Sequence, residues 1–179
     1  DVELILEPAR IAGRAQDPEG KPLGAVWVTL ERVTTDGGGL LQNWQGEKYT
    51  AADGTFAIGG LADGTYRLRV LDMMNHAWGT EMVDDLVVSG SQGVEGLVVT
   101  LRSARQVVGR VARTDGTPIE QANLRVLDSK GRDVAILSFF TSGSDGTYAC
   151  AALAADVYTL VAEATGYAPA AQSVDLTTA

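Results

Sequence analysis

The sequence predicts an all-β protein made of two tandem antiparallel β-sandwiches, each of about seven strands. Three observations support this fold class: short stretches alternate apolar and polar residues, turn sequences separate them, and two long blocks recur. Glycine provides 21 of the 179 residues, and turns such as DPEG, SGSQG and SKG interrupt the chain every few residues. No stretch shows the apolar spacing of an amphipathic helix.

The alternation defines the individual strands. AVWVTL places Val26, Val28 and Leu30 on one strand face and Trp27 on the other, and TYRLRV alternates in the same way. Period-two alternation is typical of antiparallel strands that bury one face. Trp27 is therefore predicted to lie on the outward phase of its strand.

Two blocks of the sequence occur twice. IAGRAQDPEGKPLGAVWVTL (11–30) aligns with VVGRVARTDGTPIEQANLRV (107–126), and DGTFAIGGLADGTYRL (53–68) aligns with DGTYACAALAADVYTL (145–160). The offset between the copies changes only in the stretch between the two blocks, as expected for a loop of variable length. The repetition indicates a duplicated domain.

The duplication sets the predicted domain boundaries at 8–102 and 104–179. GLVVTL, residues 96–101, is expected to close the first domain, and the second domain has no equivalent of it. The second domain is therefore expected to expose an edge or to borrow a strand. VELIL, within residues 1–7, is either the closing strand of a preceding repeat or an added N-terminal strand.

The repeated pattern G-R-V/A…D-x-x-G-x-P-(L/I)…A-x-V-x-L…D-G-x-(F/Y)…L…G-x-Y-x-L resembles the carboxypeptidase regulatory-like domain. The first copy carries it at Gly13, Gly20, Pro22, Val28, Leu30, Asp53, Gly54, Phe56, Leu61, Gly64, Tyr66 and Leu68. The second copy carries it at Gly109, Gly116, Pro118, Leu124, Val126, Asp145, Gly146, Tyr148, Leu153, Tyr158 and Leu160. The resemblance implies an Ig-like or prealbumin-like sandwich, related to collagen-adhesin B-type repeats, in an exported, non-enzymatic module.

Composition excludes several classes of function. The 14 basic and 23 acidic residues give a net charge of −9, which disfavours nucleic-acid binding and a basic membrane-binding surface. No apolar run is long enough to span a membrane. One cysteine, Cys150, and one histidine, His76, exclude an intrachain disulfide and a multi-histidine or cysteine metal site. We predict no cofactor, and we expect Cys150 to be a buried apolar residue.

The sequence DGT occurs three times, at 53–55, 63–65 and 145–147. Asp and Gly favour tight turns because the Asp side chain bonds nearby N–H groups and Gly tolerates positive φ. A calcium loop needs several closely spaced oxygen ligands, and a phosphate loop opens a helix. We interpret the three sequences as turns.

The candidate ligand or interface residues all lie in the first copy: Trp27, Trp44, Trp78, His76 and Asn75. Exposed tryptophans beside polar side chains could stack on sugar rings, whereas the alternative is that they cover a sheet face or fill a domain contact. No nucleophile sequence such as G-x-S-x-G accompanies His76, so no catalytic residue is predicted.

The sequence therefore favours a non-catalytic structural or interaction module of a larger exported or cell-surface protein, acting as spacer, scaffold or assembly unit. Its location would be extracellular, cell-surface or periplasmic. Its partners would be other domains of the same polypeptide or neighbouring subunits, joined by strand addition. The alternative is a carbohydrate-binding accessory domain that uses exposed tryptophans of the first repeat to bind glycan.

Overall fold

The structure is a computed structural model that describes residues 8–34, 44–134 and 141–178. These residues form strands, turns and irregular segments and contain no helix, so the predicted all-β class is confirmed. The described residues therefore include no helix that could cross a membrane. The chain divides into two compact units, Asp1–Arg102 and Ser103–Ala179.

Seven strands are described in the first unit: β1 (Ala9–Gln16), β2 (Trp27–Arg32), β3 (Trp44–Tyr49), β4 (Thr55–Leu61), β5 (Gly64–Leu71), β6 (Glu81–Val88) and β7 (Val94–Thr100). They form two sheets, with strand orders β4-β1-β7 and β3-β2-β5-β6. The alternating apolar residues of both sheets meet in one core, in which Ile11, Leu30, Tyr66, Leu68 and Leu101 are fully buried. This arrangement is a β-sandwich.

Five strands are described in the second unit: β8 (Arg105–Arg110), β9 (Asn123–Leu127), β10 (Thr147–Leu153), β11 (Val157–Glu163) and β12 (Ala170–Asp175). β8 pairs with β10, and β9, β11 and β12 form a sheet of order β12-β11-β9. Residues 135–140 lie outside the described part, so seven strands in this unit stay a prediction. VELIL also lies outside the described residues.

One strand pairing differs from the antiparallel arrangement that the alternation predicts. β7 pairs with β1 in parallel, so that Gly13 lies opposite Leu97 and Ala15 opposite Val99. Consecutive strands β6 and β7 belong to different sheets, and no hairpin therefore fixes the direction of β7 relative to β1. β7 is the strand predicted from GLVVTL to close the first domain, and it begins at Val94.

The first and last DGT sequences form the same turn in the two units. Asp53 Oδ1 accepts hydrogen bonds from the backbone N–H and the hydroxyl of Thr55, at 3.0 and 2.7 Å. Asp145 Oδ1 accepts the same two bonds from Thr147, at 2.9 and 2.6 Å. A local side-chain acceptor therefore closes each turn.

The glycines of these two turns are required by their geometry. Gly54 and Gly146 both have a φ of 78°, in the left-handed region that other residues rarely adopt. A Cβ on Gly54 would lie 2.4 Å from the Ala15 carbonyl oxygen, and one on Gly146 would lie 2.4 Å from that of Val111. Each turn therefore packs its glycine directly against the first strand of its unit.

Candidate functional surfaces

The three tryptophans do not form one exposed platform. Trp27, on the outward phase of its strand, is covered: only 7% of its surface is accessible. Trp44 of β3 lies beside it, with ring centroids 5.7 Å apart, and Trp27 Nε1 donates a hydrogen bond to Glu47 Oε2 at 2.7 Å. Trp78 packs, half-buried, against the hydrophobic core. A ring covered in this way cannot stack on a sugar, so the structure does not favour glycan binding through Trp27.

The face of β2 and β5 that carries Trp27 also holds buried charge, which the sequence analysis missed. Arg67 Nη1 donates to Glu31 Oε1 at 2.8 Å, and Arg67 Nε donates to Asp84 Oδ1. Burial acts to lower the pKa of Arg67, but the hydrogen bond and charge of Asp84, together with Glu31, outweigh it and raise that pKa. Arg69 is also buried, with 5% exposure. These contacts bind the strands to one another, which indicates a structural role.

Asn75 and His76 lie at an exposed turn that Asp72 organises. Asp72 is buried, and its Oδ1 accepts from the N–H groups of Met74 and Asn75, at 3.2 and 2.9 Å. Its Oδ2 accepts from the N–H of Ala77 at 3.0 Å. The carboxylate that could have oriented His76 as a base is thus used to hold the loop. This arrangement explains Asp72 as a structural residue and leaves no orienting role for it.

The remaining acidic and thiol groups are explained by local structure. Asp63, in the middle DGT sequence, accepts from the N–H of Gly90 at 2.6 Å instead of closing its own turn. Across the described ranges, no cluster of three or more His, Cys, Asp or Glu side chains could hold a metal ion. Cys150 is buried as predicted, and burial raises the pKa of its thiol to about 11. The thiol is therefore protonated at neutral pH and unreactive.

The structure reveals a matched pair of buried hydroxyls that the sequence analysis did not single out. Thr50 Oγ1 donates to the carbonyl of Leu23 at 2.7 Å, and Ser142 Oγ donates to that of Ile119 at 2.6 Å. Each hydroxyl also accepts from the backbone N–H three residues after that carbonyl. The sequence contains a sign of this pair, because Thr50 and Ser142 each stand three residues before the Asp-Gly of their turn.

Among the described residues of the second unit, β8 is at the edge of its sheet. Among the strands that the structure describes, β8 pairs only with β10, whereas the corresponding strand β1 lies between β4 and β7. Val108, in the middle of β8, is 69% exposed. Val111, just beyond the end of β8, is half-buried, although its counterpart Ala15 is fully buried. An unpaired edge of this kind can accept another strand.

A groove adjoins this edge. A cavity of about 190 Å³ lies between the end of β8 and the other sheet, with Val111, Leu124, Tyr148 and Leu160 in its lining. A second cavity of about 360 Å³ shares part of that lining and extends to Tyr167. The groove, by which we mean these two cavities together, has a mixed lining next to β8, where Arg110 and Gln172 contribute, and a mainly apolar lining towards Tyr167.

The sequence of the second unit, residues 106–179, matches the sequence model of the carboxypeptidase regulatory-like domain. The predicted resemblance is thus confirmed for the second copy and stays a prediction for the first. No curated protein is similar to the chain in sequence.

Three solved pilins are similar in structure to most of the chain. A Streptococcal ancillary pilin is 19% identical, with a TM-score of 0.41, over 94% of this chain and 59% of its own length. The shaft pilin SpaA from Lactobacillus rhamnosus GG is 14% identical, with a TM-score of 0.38, over 94% of this chain and 93% of its own. GBS52, the minor pilin of Streptococcus agalactiae, is 16% identical, with a TM-score of 0.36, over 94% of this chain and 91% of its own. The chain therefore spans less than two thirds of the ancillary pilin.

Proposed function

We propose that the chain is a non-catalytic structural module of a larger exported or cell-surface protein, and that it serves as a spacer, scaffold or assembly unit. Its partners are neighbouring domains or subunits, joined by addition of a strand to the open edge of β8. The observation that carries this proposal is that edge with its groove. The resemblance of residues 106–179 to the carboxypeptidase regulatory-like domain supports an exported location.

The two units are, in this proposal, tandem copies of one sandwich. Their hydrogen bonds correspond position by position: the Tyr66 hydroxyl donates to the Ala62 carbonyl at 2.6 Å, and the Tyr158 hydroxyl donates to the Ala154 carbonyl at 2.9 Å. The turns of Asp53 and Asp145 and the hydroxyls of Thr50 and Ser142 also make corresponding hydrogen bonds in the two units. The contacts that correspond between the units hold strands and turns together, as expected of a duplicated scaffold.

The features that differ between the units point to assembly. β7 supplies Val99, with 4% exposure, to the core of the first unit, and Leu101, which directly follows β7, is fully buried in the same core. In the second unit the corresponding space is the groove beside β8. A strand with two inward apolar side chains would fill this groove and complete the sandwich.

The experiment that tests this proposal repeats residues 94–101 after Ala179, so that the chain carries its own strand for β8. Residues 89–93 connect β6 to β7, and residues 176–179 give the repeated strand a connection of about the same length. We expect slower hydrogen exchange at β8. We also expect the free energy of unfolding of the second unit to rise by about 1.5–3 kcal/mol for each apolar side chain that becomes buried.

The matched control repeats the same residues with Val99→Asp and Leu101→Asp in the added copy only. It has the same length but cannot place apolar groups in the groove, so it should leave exchange at β8 unchanged. If the unmodified repeat also leaves β8 unchanged, the second unit does not accept a strand and the proposal fails.

A further inference from the structure

We propose that the strand accepted by β8 is residues 2–6 of a second copy of this chain, bound parallel to β8 in the register that β7 holds on β1. This inference rests on the proposed function and names the partner. The direction of the bound strand, the side chains that enter the groove and the form of the assembly then follow.

The register follows from the first unit. Gly13 and Ala15 of β1 lie opposite Leu97 and Val99 of β7, in parallel. Their counterparts by alignment are Gly109 and Val111, at the end of β8 that borders the groove. Beyond the end of β7, the Leu101 N–H donates to the Gln16 carbonyl at 2.9 Å, so the pairing continues past the strand. A strand bound in this register would place its inward side chains over Val111.

The groove has room for those side chains. Three residues of its lining, Val111, Leu124 and Leu160, correspond to Ala15, Val28 and Leu68 of the first unit. Leu124 and Leu160 are buried, as their counterparts are, whereas Val111 is half-buried and its counterpart Ala15 is fully buried in the core to which β7 contributes. A dry apolar cavity of about 150 Å³ holds a group of the size of benzene. The cavity of about 190 Å³ next to β8 can therefore hold a leucine side chain.

Residues 2–6, VELIL, have the pattern that this position requires. In the sequence, Val2, Leu4 and Leu6 alternate with Glu3 and Ile5, as Leu97, Val99 and Leu101 alternate along β7 and the residue that follows it. Both segments also stand just before the first strand of a unit, VELIL before β1 and LVVTL before β8. The two segments thus share both their alternation and their place in the sequence, directly before the first strand of a unit.

The charges are complementary. β8 carries Arg105 and Arg110 and no acidic residue, whereas residues 1–7 carry Asp1, Glu3 and Glu7. The first unit contains an ion pair between strands of the same kind, because Arg10 of β1 pairs with Glu95 of β7. Attraction between the two strands would favour encounter and would oppose the general repulsion between chains of net charge −9.

The contact would be heterologous, because residues 2–6 of one molecule bind the second unit of another. Each molecule then has one donor segment and one acceptor edge, and contacts of this kind produce open chains unless the rotation between molecules closes a ring. We therefore expect an assembly that grows with concentration and does not stop at a pair.

The test compares the full chain with a chain that lacks residues 1–7, a deletion that removes none of the described residues. Sedimentation velocity should show concentration-dependent association of the full chain and a monomer for the deleted chain. A synthetic peptide of residues 1–8 should bind the deleted chain and slow hydrogen exchange at residues 105–110. The Leu4→Asp peptide should bind at least about tenfold more weakly, whereas the Ile5→Ser peptide, changed on the outward face, should bind within about twofold of the original.

Several results would overturn the inference. They are association that survives the deletion, a full chain that stays monomeric, protection of a strand other than β8, and equal weakening by the two peptide variants. If any of these occurs while the repeated residues 94–101 still stabilise the second unit, the proposed function stands and only this partner is wrong.

Discussion

In the first unit β1 lies between β4 and β7, whereas in the second unit the corresponding β8 pairs only with β10 among the strands described. The two strands share their glycine and arginine, and their neighbours β4 and β10 carry the same turn. What differs is the burial of the side chains beyond the shared part: Ala15 is fully buried and Val111 is half-buried. The comparison shows that the closing strand is part of the core and does not merely cover an edge.

The largest expected effect comes from the fully buried side chain that directly follows β7. Leu101→Ala should lower the free energy of unfolding of the first unit by about 2–5 kcal/mol, because it leaves a cavity at a fully buried position. All three tryptophans lie in the first unit, so a denaturant titration followed by tryptophan emission reports on that unit alone.

The control for Leu101→Ala is Val98→Ala, within β7 and 59% exposed. It should change the free energy of unfolding by less than about 0.5 kcal/mol. Equal effects of the two variants would show that β7 stabilises the unit by backbone pairing alone, and the contrast with β8 would lose its basis.

A smaller difference in stability is expected between alanine substitutions at the two aligned glycines, Gly13 and Gly109. A Cβ on Gly13 would lie 2.4 Å from the backbone oxygen of Leu97, so Gly13→Ala must displace β7, at an expected loss of about 1–3 kcal/mol. A Cβ on Gly109 would first meet the Tyr148 hydroxyl, at 2.3 Å. Because this obstacle is a half-buried side chain and not backbone, Gly109→Ala should cost less than Gly13→Ala.

Tryptophan emission measures the loss for Gly13→Ala, and hydrogen exchange of β10 measures that for Gly109→Ala. The chain itself provides the matched control, since each variant is compared with its counterpart in the other unit. A Gly109→Ala loss as large as that of Gly13→Ala would mean that β8 is as tightly covered as β1.

The smallest expected effect on stability comes from the Asp53 and Asp145 carboxylates, and it should be the same in both units. Hydrogen bonds from the Thr55 and Thr147 hydroxyls hold the pKa values of Asp53 and Asp145 below the ordinary value of 3.8. The folded state therefore binds these protons more weakly than the unfolded state does. Each carboxylate stabilises its unit above that value, and the stabilisation is lost as the pH falls through the lower folded-state pKa.

Asp53→Asn and Asp145→Asn should each lower the unfolding temperature near neutral pH, and the difference from the parent chain should close in acid. Thermal unfolding between about pH 7 and about pH 2 measures this difference. A gap that does not change with pH, or that appears in one unit only, would contradict the equivalence of the two turns.

The strands and turns of this protein were predictable because their causes are local. Period-two alternation located β2 and β5, and the Asp-Gly turns before β4 and β10 follow from hydrogen bonds between residues two apart. The strand predicted from GLVVTL is present as β7, Val94–Thr100. Cys150 was correctly expected to be buried.

The burial of Trp27 could not be predicted in this way. Alternation assigns a residue to a face, but whether that face is covered depends on residues far away in the sequence. Trp27 is covered beside Trp44 and hydrogen-bonded to Glu47, both on β3, and Arg67 is held by Glu31 and Asp84 from two other strands. The sequence pattern contains no information on these neighbours.

The sequence by itself determined the fold class, the positions of the main strands and turns, and the near-repetition of two blocks, since each depends on residues close together in the chain. Only the tertiary structure decided that β7 runs parallel to β1, that the tryptophans do not form an open platform, and that β8 borders a groove. These features depend on contacts between distant strands, where direction and cover are set by the packing of whole sheets.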